Sequence, residues 1–183
     1  ASGLKPGDRA AMLLTNSIEA VIFDQAALAA GLIPVPLHAV DTPGSSAYIL
    51  HDSGARILVT SSRARWNALH AAAGETLPML EQVVLLNELD DEVIDGVRIS
   101  GVETWLARGN GTPSEALPPE PSPDDLAGLI YTSGTTGRPK GVMLTHANLV
   151  ANVAQISDAV EITESDIYLS FLPFSHTFER TVA

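Results

Sequence analysis

Cysteine is absent from the 183 residues, which excludes a disulfide framework and any thiolate metal site. A chain without thiol chemistry suits a reducing cytoplasm, and that is the compartment expected. Basic residues are scarce: Lys and Arg number 10 against 22 Asp and Glu, for a formal net charge of −12. No nucleic-acid partner is expected, because neutralising a phosphodiester backbone takes clustered Lys and Arg. Long hydrophobic runs are missing too. The most apolar window, 20–40, is interrupted by Asp24, Gln25, Pro34 and Pro36, so it does not span a bilayer. No secretory leader and no internal repeat is recognisable. The sequence has no initiating Met and stops at Thr181-Val182-Ala183 without a terminating signal, so both ends are expected to be cuts within a longer chain.

What is present is enough for one domain, since 45% of the residues are hydrophobic and a chain of this length buries a sizeable core. Short apolar runs at Arg9 to Leu14, Ile33 to Leu37, Arg56 to Thr60 (with β-branched residues) and Gln82 to Leu86 read as strands. Helical stretches at Ser17 to Ala30, Ser45 to Ser53 and Ser62 to Ala73 separate them, the first two stopped by Gly31 and Gly54. Ser17 is the expected N-cap of the first helix, and Pro34 and Pro36 argue for an edge or irregular strand. Such alternation predicts βαβ units and an α/β fold with a mostly parallel sheet flanked by helices. Residues 109–125 then change character, with Pro113, Pro118, Pro119, Pro121 and Pro123 predicting an extended connection within one domain. Strands are predicted at 127–131, at 142–144 and at 166–172. Between the last two, a helix from His146 is expected to pack Leu149, Val153, Ile156 and Val160 on the sheet.

The stretch "YTSGTTGRPKGVMLTH" at 131–146 has the composition of a phosphate loop without the spacing of the Walker type. Gly137 follows Gly134 after two residues, and Lys140 precedes Gly141 rather than a hydroxyl. The following apolar run makes the loop a connection between two strands, which removes the helix N-terminus as the anion donor. Backbone N–H groups turned inward by Gly134 and Gly137, and the hydroxyls of Thr132, Ser133, Thr135 and Thr136, remain as donors for an anion nest. Arg138 and Lys140 add positive charge around Pro139. The alternative is a solvated Gly/Ser/Thr hairpin.

With its continuation "ANL", this stretch resembles the phosphate-binding signature of the AMP-forming adenylating enzymes, the superfamily of acyl-CoA synthetases, luciferases and peptide-synthetase adenylation domains. "LPFSHTFER" at 172–180 is similar to the carboxylate-pocket motif of long-chain acyl-CoA synthetases. "QAALAAGLIPVPLHAVDTP" at 25–43 is similar to a weaker early motif of the same enzymes. The resemblance implies that 1–183 is part of the large N-terminal adenylation (AMP-binding) domain. A C-terminal domain carrying a further catalytic lysine, the adenine contacts and the acidic metal partner would lie outside this sequence, and the piece as given is not expected to turn over.

The implied reaction is activation of a fatty carboxylate by ATP to acyl-AMP and pyrophosphate, followed by transfer to CoA. Carrier-protein transfer, another small carboxylic or amino acid as substrate, and a non-catalytic nucleotide-binding module are the alternatives. By resemblance, Thr132, Ser133, Gly134, Thr135, Thr136, Gly137 and Lys140 would hold the leaving pyrophosphate, Thr132 would meet Mg²⁺, and Lys140 and His176 would act in catalysis, His176 near the substrate carboxylate. Phe178, Glu179 and Arg180 either wall the acyl channel or form a structural ion pair. His38, His51, His70 and His146 show no metal-ligand spacing and are expected to be structural or surface residues. Peripheral membrane contact and a homo-oligomeric parent are left open.

Overall fold

The computed structural model describes residues 3–74, 77–89, 91–109, 118–133, 137–161 and 163–182. Strands and helices alternate as β1 (Arg9–Leu13), α1 (Ile18–Ala29), β2 (Ile33–Pro36), α2 (Pro43–Ser53), β3 (Ile57–Thr60), α3 (Arg63–Ala73) and β4 (Gln82–Leu85). Then come β5 (Asp91–Ile94), β6 (Val97–Gly101), α4 (Val102–Ala107), β7 (Leu126–Ser133), β8 (Pro139–Thr145), α5 (His146–Ala159) and α6 (Thr177–Val182). The order β2-β1-β3-β4-β6-β5 makes a six-stranded sheet, parallel except for the antiparallel β5–β6 pair. This is the mostly parallel α/β sheet that the alternation predicts. The β5–β6 hairpin and α4 had no counterpart in the sequence reading.

Short apolar runs form these strands because the sheet is covered on both faces, so that every residue of β2 and β3 is buried. On one face Ala11, Leu13, Leu58 and Val83 pack with Ile49 of α2 and with Trp66 and Leu69 of α3. On the other, Ala10, Met12, Ile57 and Val84 meet Ala20 and Ala27 of α1. The helix starts are fixed locally. Ser17 accepts from Ala20 N at 3.2 Å, Thr42 accepts from Ser45 N with Pro43 in the first turn, and Ser62 caps α3. α2 thus begins two residues before the expected Ser45, since a proline in a first helical turn is pre-set for it.

β7 and β8 form a separate antiparallel pair, registered so that Tyr131 faces Gly141, Thr132 faces Lys140 and Ser133 faces Pro139. β7 runs beside β2, so the proline-bearing strand is an edge in hydrogen bonding and yet covered. Two expectations are corrected here. Residues 166–172 form no strand, because no described strand pairs with them, and Ile167, Leu169 and Phe171 are exposed. α5 forms with a capping box at Thr145 and Asn148, but no residue of it is buried and Val153 and Val160 are exposed. Its apolar stripe therefore does not pack down on the sheet as expected.

Candidate functional site

The glycine-rich turn joins β7 to β8, so it is a strand-to-strand connection and not a helix-opening loop. Gly134, Thr135 and Thr136, and the side chain of Ser133, lie outside the described residues. At the far end of the turn Gly137 has φ +92°, a conformation that L side chains rarely adopt and that an inward-turned N–H requires. Thr132 and Gly137 border a cavity of about 550 Å³, and His176 and Thr177 border it from the other motif. The structure thus brings together two stretches that the sequence separates by some forty residues. Lys140 stands on β8 directly across from Thr132, exposed, and does not line the cavity. A larger cavity of about 760 Å³, bordered by Gln82, Arg98 and Trp105, holds none of the residues singled out in the sequence.

His176 sits in a tight turn before α6. Its N–H donates to Pro173 O at 2.7 Å, and its carbonyl accepts from Arg180 N at 3.2 Å. Three contacts hold that turn, and the sequence reading missed the partner in each. Asn16, just past the C-terminal end of β1, donates through Nδ2 to Leu172 O at 2.6 Å and accepts from Phe174 N at 2.9 Å. His38, just past β2, brings Nδ1 within 3.2 Å of Ser175 Oγ and lines the same cavity. A structural or surface place was expected for it; it lies at the cavity. Asp24 of α1 is fully buried and takes the Arg180 guanidinium, Nε lying 3.0 Å from Oδ1 and donating to Oδ2 at 3.1 Å. The signal was available for Asp24, a carboxylate inside the most apolar window of the chain. For Asn16 and His38 only their position beyond a strand end pointed to a ligand-side role.

Arg180 also donates through Nη2 to Ala127 O at 3.0 Å, and a Cβ on Gly128 would stand 2.4 Å from Nη1. The guanidinium thus lies where a side chain on β7 would have been. Of the two roles open for Arg180, it takes the structural ion pair. Glu179 is fully buried and accepts from the Tyr168 hydroxyl at 3.1 Å. The Phe178 side chain lies outside the described residues. Burial pushes the Asp24 carboxyl above its ordinary value, more than the neighbouring Arg180 charge pulls it down. Burial, the Asp52 hydrogen bond and the Asp52 charge push the Tyr131 phenol up.

Among the described residues no three His, Cys, Asp or Glu side chains gather as a metal cluster. No helix among the described residues is long and apolar enough to cross a membrane.

The family model described as "AMP-binding enzyme" matches residues 1–183. The chain is 34% identical to "Long chain acyl-CoA synthetase 6, peroxisomal" of Arabidopsis thaliana over 97% of its own length and 26% of that protein's. It is 36% identical to "Fatty acyl-CoA synthetase A" of Dictyostelium discoideum over 98% of its length and 27% of that protein's. The chain thus spans about a quarter of the relatives it matches. Among solved structures, ATP-bound MatB from Rhodopseudomonas palustris superposes with a TM-score of 0.73 at 28% identity, over 99% of this chain and 33% of MatB.

Proposed function

We propose, from the premise that the chain belongs to the AMP-binding enzyme family, that it forms the pyrophosphate side of the adenylation site in a long-chain fatty acid–CoA ligase. In this reading residues 1–183 are part of the N-terminal adenylation domain. The observation that carries it is the shared cavity, with the β7–β8 turn on one wall and the His176 turn on another. A fatty carboxylate oxygen attacks the α-phosphorus of ATP, the bond to the β-phosphate oxygen breaks, and pyrophosphate leaves. The CoA thiolate then attacks the acyl carbon and AMP departs. The first step crowds anions together, so the protein contributes positioning and charge stabilisation.

Thr132, the backbone around Gly137 and the turn between them receive the β- and γ-phosphates. Lys140, one rung beyond on β8, supplies positive charge toward the same turn. Thr132 is the hydroxyl that would meet a bound Mg²⁺, which would supply neutralisation of phosphate charge there. His176 orients the carboxylate, its backbone fixed by Pro173 and Arg180. The acceptor read from the relatives' names is CoA, and the compartment read from the missing cysteines is the cytoplasm. The word peroxisomal belongs to the Arabidopsis relative.

The test is ATP–pyrophosphate exchange in the full-length parent. Lys140→Ala and Thr132→Val are expected to slow fatty-acid-dependent exchange ~100-fold, the usual effect of losing one preorganised donor. Exchange at the wild-type rate in both variants refutes the assignment of the turn.

A further inference from the structure

Both stems of the glycine-rich turn are gripped by one helix. On the incoming stem, the Tyr131 hydroxyl donates to Asp52 Oδ2 at 2.7 Å. On the outgoing stem, the Arg138 guanidinium lies 5.7 Å from the centroid of the Tyr48 ring, within cation–π range. Tyr48 and Asp52 are four residues apart on α2 and therefore share a face of the helix, and the Tyr48 hydroxyl itself reaches Asp52 Oδ1 at 3.5 Å. The grip depends on a glycine. Gly141 is the cross-strand partner of Tyr131, and a Cβ there would stand 3.1 Å from the ring Cζ and 3.2 Å from its hydroxyl. The bare backbone of β8 is what lets the ring lie across it toward α2.

A carboxylate beside an anion-binding turn opposes its ligand unless it serves another purpose. Asp52 has one, as acceptor for a hydroxyl that stays protonated across the working pH range, since burial and the carboxylate itself both hold the Tyr131 proton in place. We propose that Tyr48 and Asp52 are positioning residues that fix the two stems of the β7–β8 turn, through Arg138 and Tyr131, and so set the geometry in which the turn receives the pyrophosphate part of ATP. Neither residue touches the cavity directly. The inference rests on the phosphate reading of the turn given above.

The experiment compares Tyr131→Phe, Asp52→Ala, their double variant, Asp52→Asn and Lys140→Ala in the full-length parent. Tyr131→Phe and Asp52→Ala are each expected to lower kcat/KM for ATP in pyrophosphate exchange by about tenfold, the loss of one hydrogen bond to a charged group. The double variant should be no worse than either single one, because both remove the same bond. Asp52→Asn keeps an acceptor and should recover most of the loss. KM for the fatty acid and thioester formation from supplied acyl-AMP should both stay at wild-type values. Additive losses, or equal losses in the CoA half-reaction, would mean a general folding role and overturn the proposal. Lys140→Ala separates the two layers. If it and the Thr132→Val variant both leave exchange intact, the phosphate reading falls and the proposal with it. If it cripples exchange while Tyr131→Phe and Asp52→Ala do not, only the positioning role falls.

Discussion

Removing the Asp24 carboxylate tests whether the Asp24–Arg180 pair holds the His176 turn. The two side chains are 0% and 2% exposed, so neither charge has water to fall back on. In Asp24→Ala the guanidinium keeps its bond to Ala127 O but loses its counter-ion and leaves a void. A buried charge stripped of its partner costs about 3–5 kcal/mol, a large share of the stability of a domain this size. Asp24→Asn retains an acceptor for Nε and removes only the charge. With that hydrogen bond and the side-chain volume kept, this variant is expected to lose less than Asp24→Ala. The pH dependence carries the sign. With its folded value raised, Asp24 binds more protons in the folded than in the unfolded state. Its contribution is therefore full below the ordinary carboxylate value near 3.9 and is lost as pH rises through the raised folded value. The gap between wild type and Asp24→Asn should accordingly narrow with rising pH across that window, while acid effects common to both cancel. Urea unfolding followed by the fluorescence of Trp66, 1% exposed in the core, reads these differences. An Asp24→Ala protein within about 0.5 kcal/mol of wild type, below the usual cost of even a single lost hydrogen bond, or an Asn variant as unstable as the Ala one, would refute the reasoning.

Two further outcomes are expected. His176→Ala in the full-length parent should slow acyl-AMP formation more than thioester formation from supplied acyl-AMP, measured as separate half-reactions; equal losses would assign His176 to folding. Gly101→Ala should destabilise by ~2 kcal/mol or more, because its Cβ would stand 1.9 Å from the Glu88 carbonyl oxygen, a backbone atom with little room to retreat; an unchanged urea midpoint would contradict that packing.

The strands β1 to β4 were legible because each is a short, mostly apolar run, and local pattern suffices for a strand buried on both faces. β5, whose sequence Asp-Glu-Val-Ile is mostly exposed, gave no such signal; its pairing with β6 follows from the turn at Asp95 and Gly96, both at positive φ. The expected strand at 166–172 failed for the complementary reason. Its alternation is real, but a strand needs a neighbour, and alternation says nothing of whether one is there. The two site motifs were legible by resemblance, but the strand expected before His176 does not form, and it is a segment held by Asn16 that brings His176 to the cavity. Asp24 stood out as a carboxylate in the apolar window, but the contacts that Asn16, His38, Asp24 and Asp52 make were not legible, since each acts on a segment at least 79 positions away and no local periodicity encodes such a contact.

The hold of Asn16 on the segment before His176 bears on the order in which the molecule is put together. Its contacts to Leu172 and Phe174 close loops of 156 and 158 residues, whereas the βαβ units close much shorter ones. Loop entropy grows only logarithmically, so the bond itself is little penalised by the distance. The kinetic consequence is larger. Long-range closures come after local ones have formed, and Asn16 reaches the end of a β1 that must already be paired. The segment before His176 is thus expected to be among the last parts to take shape and the first to loosen. Amide exchange in 170–176 should outrun that of β1 and β3 while the sheet stays closed.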